Sequence, residues 1–162
     1  MTGGPGGGAS GSVSPAQAIA FASVAFVALL IAGLGLTSLA LDADVVATPG
    51  LGLAPGVAGT TAATAAFVLG LWAGVRLPRP SYWAAAWCAL GAYLGYLVGV
   101  WLGAAIAGAG PAAAVGAAGD VAVSWFGAVV AGTGLVCGWG GIALVRTRSE
   151  RPRWPWEHDE DE

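Results

Sequence analysis

The chain has 162 residues, 57% of them hydrophobic and only 9% charged, with a mean hydropathy of +0.76 and a formal net charge of −3. A soluble domain carries about a quarter charged residues, so this composition excludes an ordinary water-soluble fold and points to a membrane protein. The length admits one unit of about four spanning helices.

Residues 1–15, MTGGPGGGASGSVSP, are Gly/Ser-rich without an apolar period, and they read as a disordered tail. The uncharged run that follows is too long for a signal peptide and has no basic residue before it, so it reads as a retained first span over about 16–39. It carries a small-residue row at Ala25, Ala28, Ala32 and Gly35, with bulky Phe21, Phe26, Leu29, Leu30 and Leu36 left for lipid or core. Asp42 and Asp44 end it. The segment ATPGLGLAPG at 47–56 is a turn-rich connector that is apolar enough to lie on the membrane surface.

A second span over about 57–75 has its own four-residue row, Ala62, Ala66, Gly70 and Gly74. The turn from Arg76 to Pro80, RLPRP, breaks the helix with its prolines. The third span, about 82–108, carries GxxxGxxxGxxxG at Gly91, Gly95, Gly99 and Gly103. Residues four apart rotate only about 40° around a helix, so these glycines share one face and form a groove without side chains. In lipid such a groove lets another backbone approach, because helices there associate by packing.

The segment GAGPAAAVGAAG reads as a loop, and Asp120 just before the fourth span is placed to cap it. That span, about 121–145, has small residues at Gly127, Ala131, Gly134, Gly138 and Gly141. Their mean spacing of about 3.5 suits left-handed packing, whereas a strict four suits a right-handed crossing. Each helix is therefore expected to meet two different partners.

All six basic residues, Arg76, Arg79, Arg146, Arg148, Arg151 and Arg153, fall in the second connector or after the fourth span. The other connectors hold only Asp42, Asp44 and Asp120. The positive-inside rule puts the arginines in the cytoplasm at the lipid headgroups, with both termini inside and the aspartates outside. Trp72, Tyr82, Trp83 and Trp87 lie near one boundary and Trp101 and Trp125 near the other, an aromatic-belt pattern. Tyr93, Tyr96 and Trp139 fall nearer mid-depth, where their polar atoms are expected to find helix partners.

Chemistry has few candidates. The single histidine, His158, sits in an acidic tail, no cysteine pair has ligand spacing, and no catalytic residue, metal site or cofactor is expected. Cys88 and Cys137 should lie at similar depth, either as a redox pair or as two small buried side chains. No ionisable group lies inside a span to couple ions or protons. At the outer end Asp42, Asp44 and Asp120 join Thr37, Ser38, Thr60, Thr61, Thr64 and Ser124. These carboxylates would either hold a cation or a basic partner loop, or serve as solvated helix ends.

The tail RTRSERPRWPWEHDEDE, residues 146–162, turns from basic to acidic around Trp154 and Trp156. Two readings stand for it, an interfacial anchor and a docking peptide, while nucleic-acid binding does not fit so balanced a charge. With GLGLTSLALDADVV closing the first span, the RLPRP turn and the RWPWE tail, the layout resembles uncharacterised four-span membrane proteins of high-GC Gram-positive bacteria. That resemblance implies a plasma-membrane location and a multi-pass topology, and no activity.

The expectation is an all-α four-helix transmembrane bundle, N-in and C-in, over 16–147 with a cytoplasmic tail at 148–162. It is expected to be a non-enzymatic scaffold or accessory subunit whose partners are the bilayer and other transmembrane helices. The alternative is a small transporter or channel component.

Overall fold

The computed structural model describes residues 15–48, 50–76 and 83–146. Among these described residues five helices follow one another: α1 (Pro15–Leu41), α2 (Ala54–Val75), α3 (Trp83–Ile106), α4 (Pro111–Val123) and α5 (Trp125–Arg146). Four of them, α1, α2, α3 and α5, are long and apolar enough to cross a membrane, whereas α4 has only 13 residues. At about 1.5 Å per residue the 24-residue α3 reaches roughly 36 Å, enough for a bilayer core with some tilt.

The third connector corrects the sequence reading. Residues 111–123 form a helix instead of a loop, opened by Pro111, whose missing N–H costs nothing in a first turn. Asp120 therefore lies exposed near the end of α4 and caps nothing at the start of the last span. The residue before α5 is Ser124, extended at φ −92° and ψ 169°, and its carbonyl accepts from the Gly127 N–H at 3.2 Å.

The core is centred on α3, which packs against α2, α4 and α5, while α1 lies mainly on α5. Ala18, Ala22, Phe26, Leu30 and Leu34 form the buried row of α1. The small row of α1 read from sequence is the reverse of its buried face: Ala25, Ala28, Ala32 and Gly35 are exposed. Lipid imposes no apolar gradient on a helix, so small size alone does not say which side is covered. What α1 contributes inside is bulk, because Phe26 stacks on Phe67 of α2 with centroids 4.3 Å apart and planes within 4°.

Two helix ends at the aspartate side are closed by Schellman-type bonds. The Ala109 N–H reaches the Ala104 carbonyl at 3.0 Å, with Gly108 at φ +92° supplying the left-handed turn. At the end of α1 the Ala43 N–H reaches the Ser38 carbonyl at 3.1 Å, but there the left-handed residue is Asp42 at φ +48°. After it the connector folds inward, and buried Leu51 joins Ala104 and Ala114 in a small second core. That burial explains why the connector is apolar.

Candidate functional site

Helices α2 and α3 are joined along the glycine stripe. A side chain at Gly95 would lie 2.9 Å from the Ala62 carbonyl oxygen and the Ala66 Cβ, and one at Gly103 only 2.7 Å from the Pro55 Cα. At Gly99 it would fall on the Ala58 carbonyl oxygen and 2.7 Å from the Gly59 Cα. Gly91 faces the Ala66 carbonyl more loosely, at 3.8 Å. The row on α2 completes the seam, with Gly70 against Cys88 and Gly74 against Ala84. The groove is thus filled by the chain itself, backbone against backbone, as close packing without a hydrophobic driving force requires.

A neighbouring face of α3, which shares Cys88 with the first, receives α5. A side chain at Gly134 would lie 2.9 Å from Ala89 Cα, and one at Gly138 would lie 3.1 and 3.3 Å from Cys88 and Ala85. Gly127 faces Tyr93, and Gly141 has already turned towards Ala22 of α1 and Leu71 of α2. Ala131, between them, is half-buried. Small residues on α5 thus meet α3 first and then the other two helices, so one helix serves several partners.

The break between α4 and α5 frees carbonyls that a continuous helix would have satisfied. Val121 O accepts from the Ser124 N–H at 3.3 Å and from its hydroxyl at 2.9 Å. Ala122 O accepts from the Tyr93 hydroxyl of α3 at 3.0 Å. Tyr93 therefore has the helix partner its depth demands.

Tyr96 does not. It is 1% exposed, yet among the described residues its hydroxyl makes no hydrogen bond, and it lines a cleft of about 900 Å³ between α1 and α2. Below the cleft the two helices touch through Phe26 and Phe67; towards the aspartate end they stand apart. Ile31, Leu34, Val45, Val46, Leu53 and Val57 give the cleft apolar walls. Ser38, Thr60, Thr61, Asp44 and Tyr96 contribute its polar groups. Several of these were legible as outer polar residues, but Tyr96 was expected to be satisfied by a neighbouring helix.

The three aspartates do not form one site. Asp42 and Asp44 share a shallow hollow with Ser38, and among the described residues no three His, Cys, Asp or Glu side chains gather as metal ligands. At the other end the Arg76 guanidinium lies 3.8 Å over the Trp72 ring, a cation–π contact that holds it at that boundary. Arg79, Arg148, Arg151, Arg153, His158, Tyr82, the first 14 residues and the tail lie outside the described residues, as does the side chain of Arg146. Cys88 and Cys137 are both buried free thiols, not a disulfide.

An all-α chain with four such helices is a multi-pass membrane protein. Its family follows from sequence comparison: the chain belongs to DUF6121, a family of unknown function, whose profile matches residues 14–162. No curated protein and no solved structure matches it.

Proposed function

We propose that the protein is a non-enzymatic accessory or scaffold subunit of the plasma membrane, with both termini cytoplasmic, that binds a transmembrane helix of another chain. One observation carries this reading. The chain closes its own glycine groove with α2 and leaves a second small-residue face bare, Ala25, Ala28, Ala32 and Gly35 of α1, with nothing within 4 Å of a side chain at Gly35. Spacings of three and four residues along that face suit a left-handed crossing by a second helix. The plasma-membrane location and inward termini are supported by the grouping of all six arginines on one side of the spans.

The test is purification in mild detergent of the full chain and of a variant carrying Ala28→Leu and Ala32→Leu, with identification of stoichiometric partners. Both sites are exposed, so the variant should keep its fold and lose the partner. Identical partner content in the two preparations counts against the proposal. The second reading, a component of a small transporter or channel, is favoured by the cleft, since a passage for solute needs polar groups below the membrane surface; liposome flux measurements separate the two.

A further inference from the structure

We propose that the cleft between α1 and α2 binds an amphiphile carrying a protonated amine on an apolar tail. The assignment needs neither a partner helix nor a transport cycle. Its size falls within the range of small-molecule sites, and its pattern of apolar walls with a few convergent polar groups is theirs as well. Tyr96 supplies the independent sign of a ligand. Its side chain is 1% exposed and its hydroxyl has no partner among the described residues, yet no fully buried side-chain oxygen there is left unbonded, so the hydroxyl is the reachable end of a buried ring that lines the cleft. The tip of its ring packs at Gly59, about 8 Å in from the start of α2.

Charge at the polar end of the cleft selects the head group. The Ser38 hydroxyl donates its proton to Ala43 O at 2.6 Å, and that of Thr61 to Val57 O at 2.8 Å, so each offers a ligand only acceptor lone pairs. Asp44 at the mouth is an acceptor too, and Asp42 adds a second negative charge beside Ser38. Among the described residues no cation lines the cleft. Thr48, Thr60 and Tyr96 keep hydroxyl protons that could serve either kind of head, so charge decides: the aspartates favour a terminal ammonium over a head group that carries only negative charge. Beneath that polar band Leu34 and Ile31, about 10 and 15 Å from the end of α1, form a track for the tail.

Photo-labelling of the full chain in phosphatidylcholine nanodiscs tests this. The probe is a long-chain primary alkylamine with a diazirine in its tail, run beside the alcohol and the carboxylic acid of equal length. The amine is expected to label peptides containing Ile31, Leu34 and Val57 at least fivefold more than the acid does. Tyr96→Phe, which keeps the ring, and Asp44→Asn, on an exposed connector, are each expected to reduce that labelling two- to fivefold. Suppression by added phosphatidylethanolamine identifies an aminated lipid as the source, and labelling unaffected by it identifies a free amphiphilic amine. Equal labelling by all three probes, or labelling unchanged in both variants, overturns the proposal, because the cleft would then be a space filled by any acyl chain.

Discussion

Replacing Gly99 with Ala adds one methyl group at the tightest point of the α2–α3 seam. The new Cβ would meet backbone, the Ala58 carbonyl and the Gly59 Cα at 2.7 Å, so no side chain can rotate out of its way. Restoring an ordinary 3.4 Å carbon contact requires α2 to retreat by about 0.7 Å. A gap of that size forfeits a quarter to a half of each van der Waals contact along the seam. Overpacking of this kind costs about 3 kcal/mol, the upper end of the usual range, because the obstacle is main chain.

Alanine also gains roughly 0.5–1 kcal/mol over glycine as a helix former, which partly masks the loss. Gly132→Ala on α5 cancels that term: it offers the same propensity gain with nothing within 4 Å of the new methyl. Reversible unfolding by SDS in mixed micelles should therefore separate the two variants by about 3 kcal/mol, roughly a hundredfold in the equilibrium constant. Equal stabilities would refute the claim that the stripe is pressed against α2.

Three other outcomes follow from the same geometry. Tyr93→Phe leaves the Ala122 carbonyl without its donor inside the bundle and should cost about 1–2 kcal/mol, with faster hydrogen exchange confined to residues around the α4–α5 break. Asp42→Gly removes the left-handed strain at the end of α1 and should raise the unfolding free energy slightly, by about 0.5–1 kcal/mol, since glycine adopts φ near +48° freely. A fluorescent protein that matures only in the cytoplasm, fused after Glu162, should fluoresce; a dark fusion would reverse the proposed orientation.

What could be read from sequence was whatever a single helix writes on its own surface. The four-residue spacing of Gly91, Gly95, Gly99 and Gly103 announced a shared face, and the row Ala62, Ala66, Gly70 and Gly74 is the face that meets it. Helix α4 was hidden because PAAAVGAAGDVAV contains three residues, Pro111, Gly116 and Gly119, that mark turns in water. Packing against α3 buries Ala114, Ala117 and Val121 on one face, and that tertiary contact holds the same residues in a helix. Asp120 compounded the error by standing where a cap would stand.

The cleft was illegible for a different reason. It depends on how far α1 stands from α2, and that is decided by α1 docking on α5, where a side chain on Gly33 would come within 2.8 Å of Val129. No periodicity within α1 reports this choice. Small and large residues occur on both of its sides: Ala18 and Ala22 are buried with Phe26 and Leu30, while Phe21, Leu29 and Leu36 are exposed with Ala25, Ala28 and Ala32. Tyr96 likewise looked like Tyr93, three residues away, until the break after α4 was seen to claim only one of them.

The central claim is that the third crossing has its bare face covered by the second crossing of the same chain. Gly70→Cys in a Cys137→Ala background tests it with one native thiol. A side chain at position 70 would begin 3.4 Å from the Cys88 Sγ, close to disulfide geometry and free of any tighter contact. Mild oxidation in detergent should link position 70 to Cys88 within single chains, seen as a faster monomer band and one bridged tryptic peptide. Dimers bridged through Cys88, with no link inside the chain, would contradict the account.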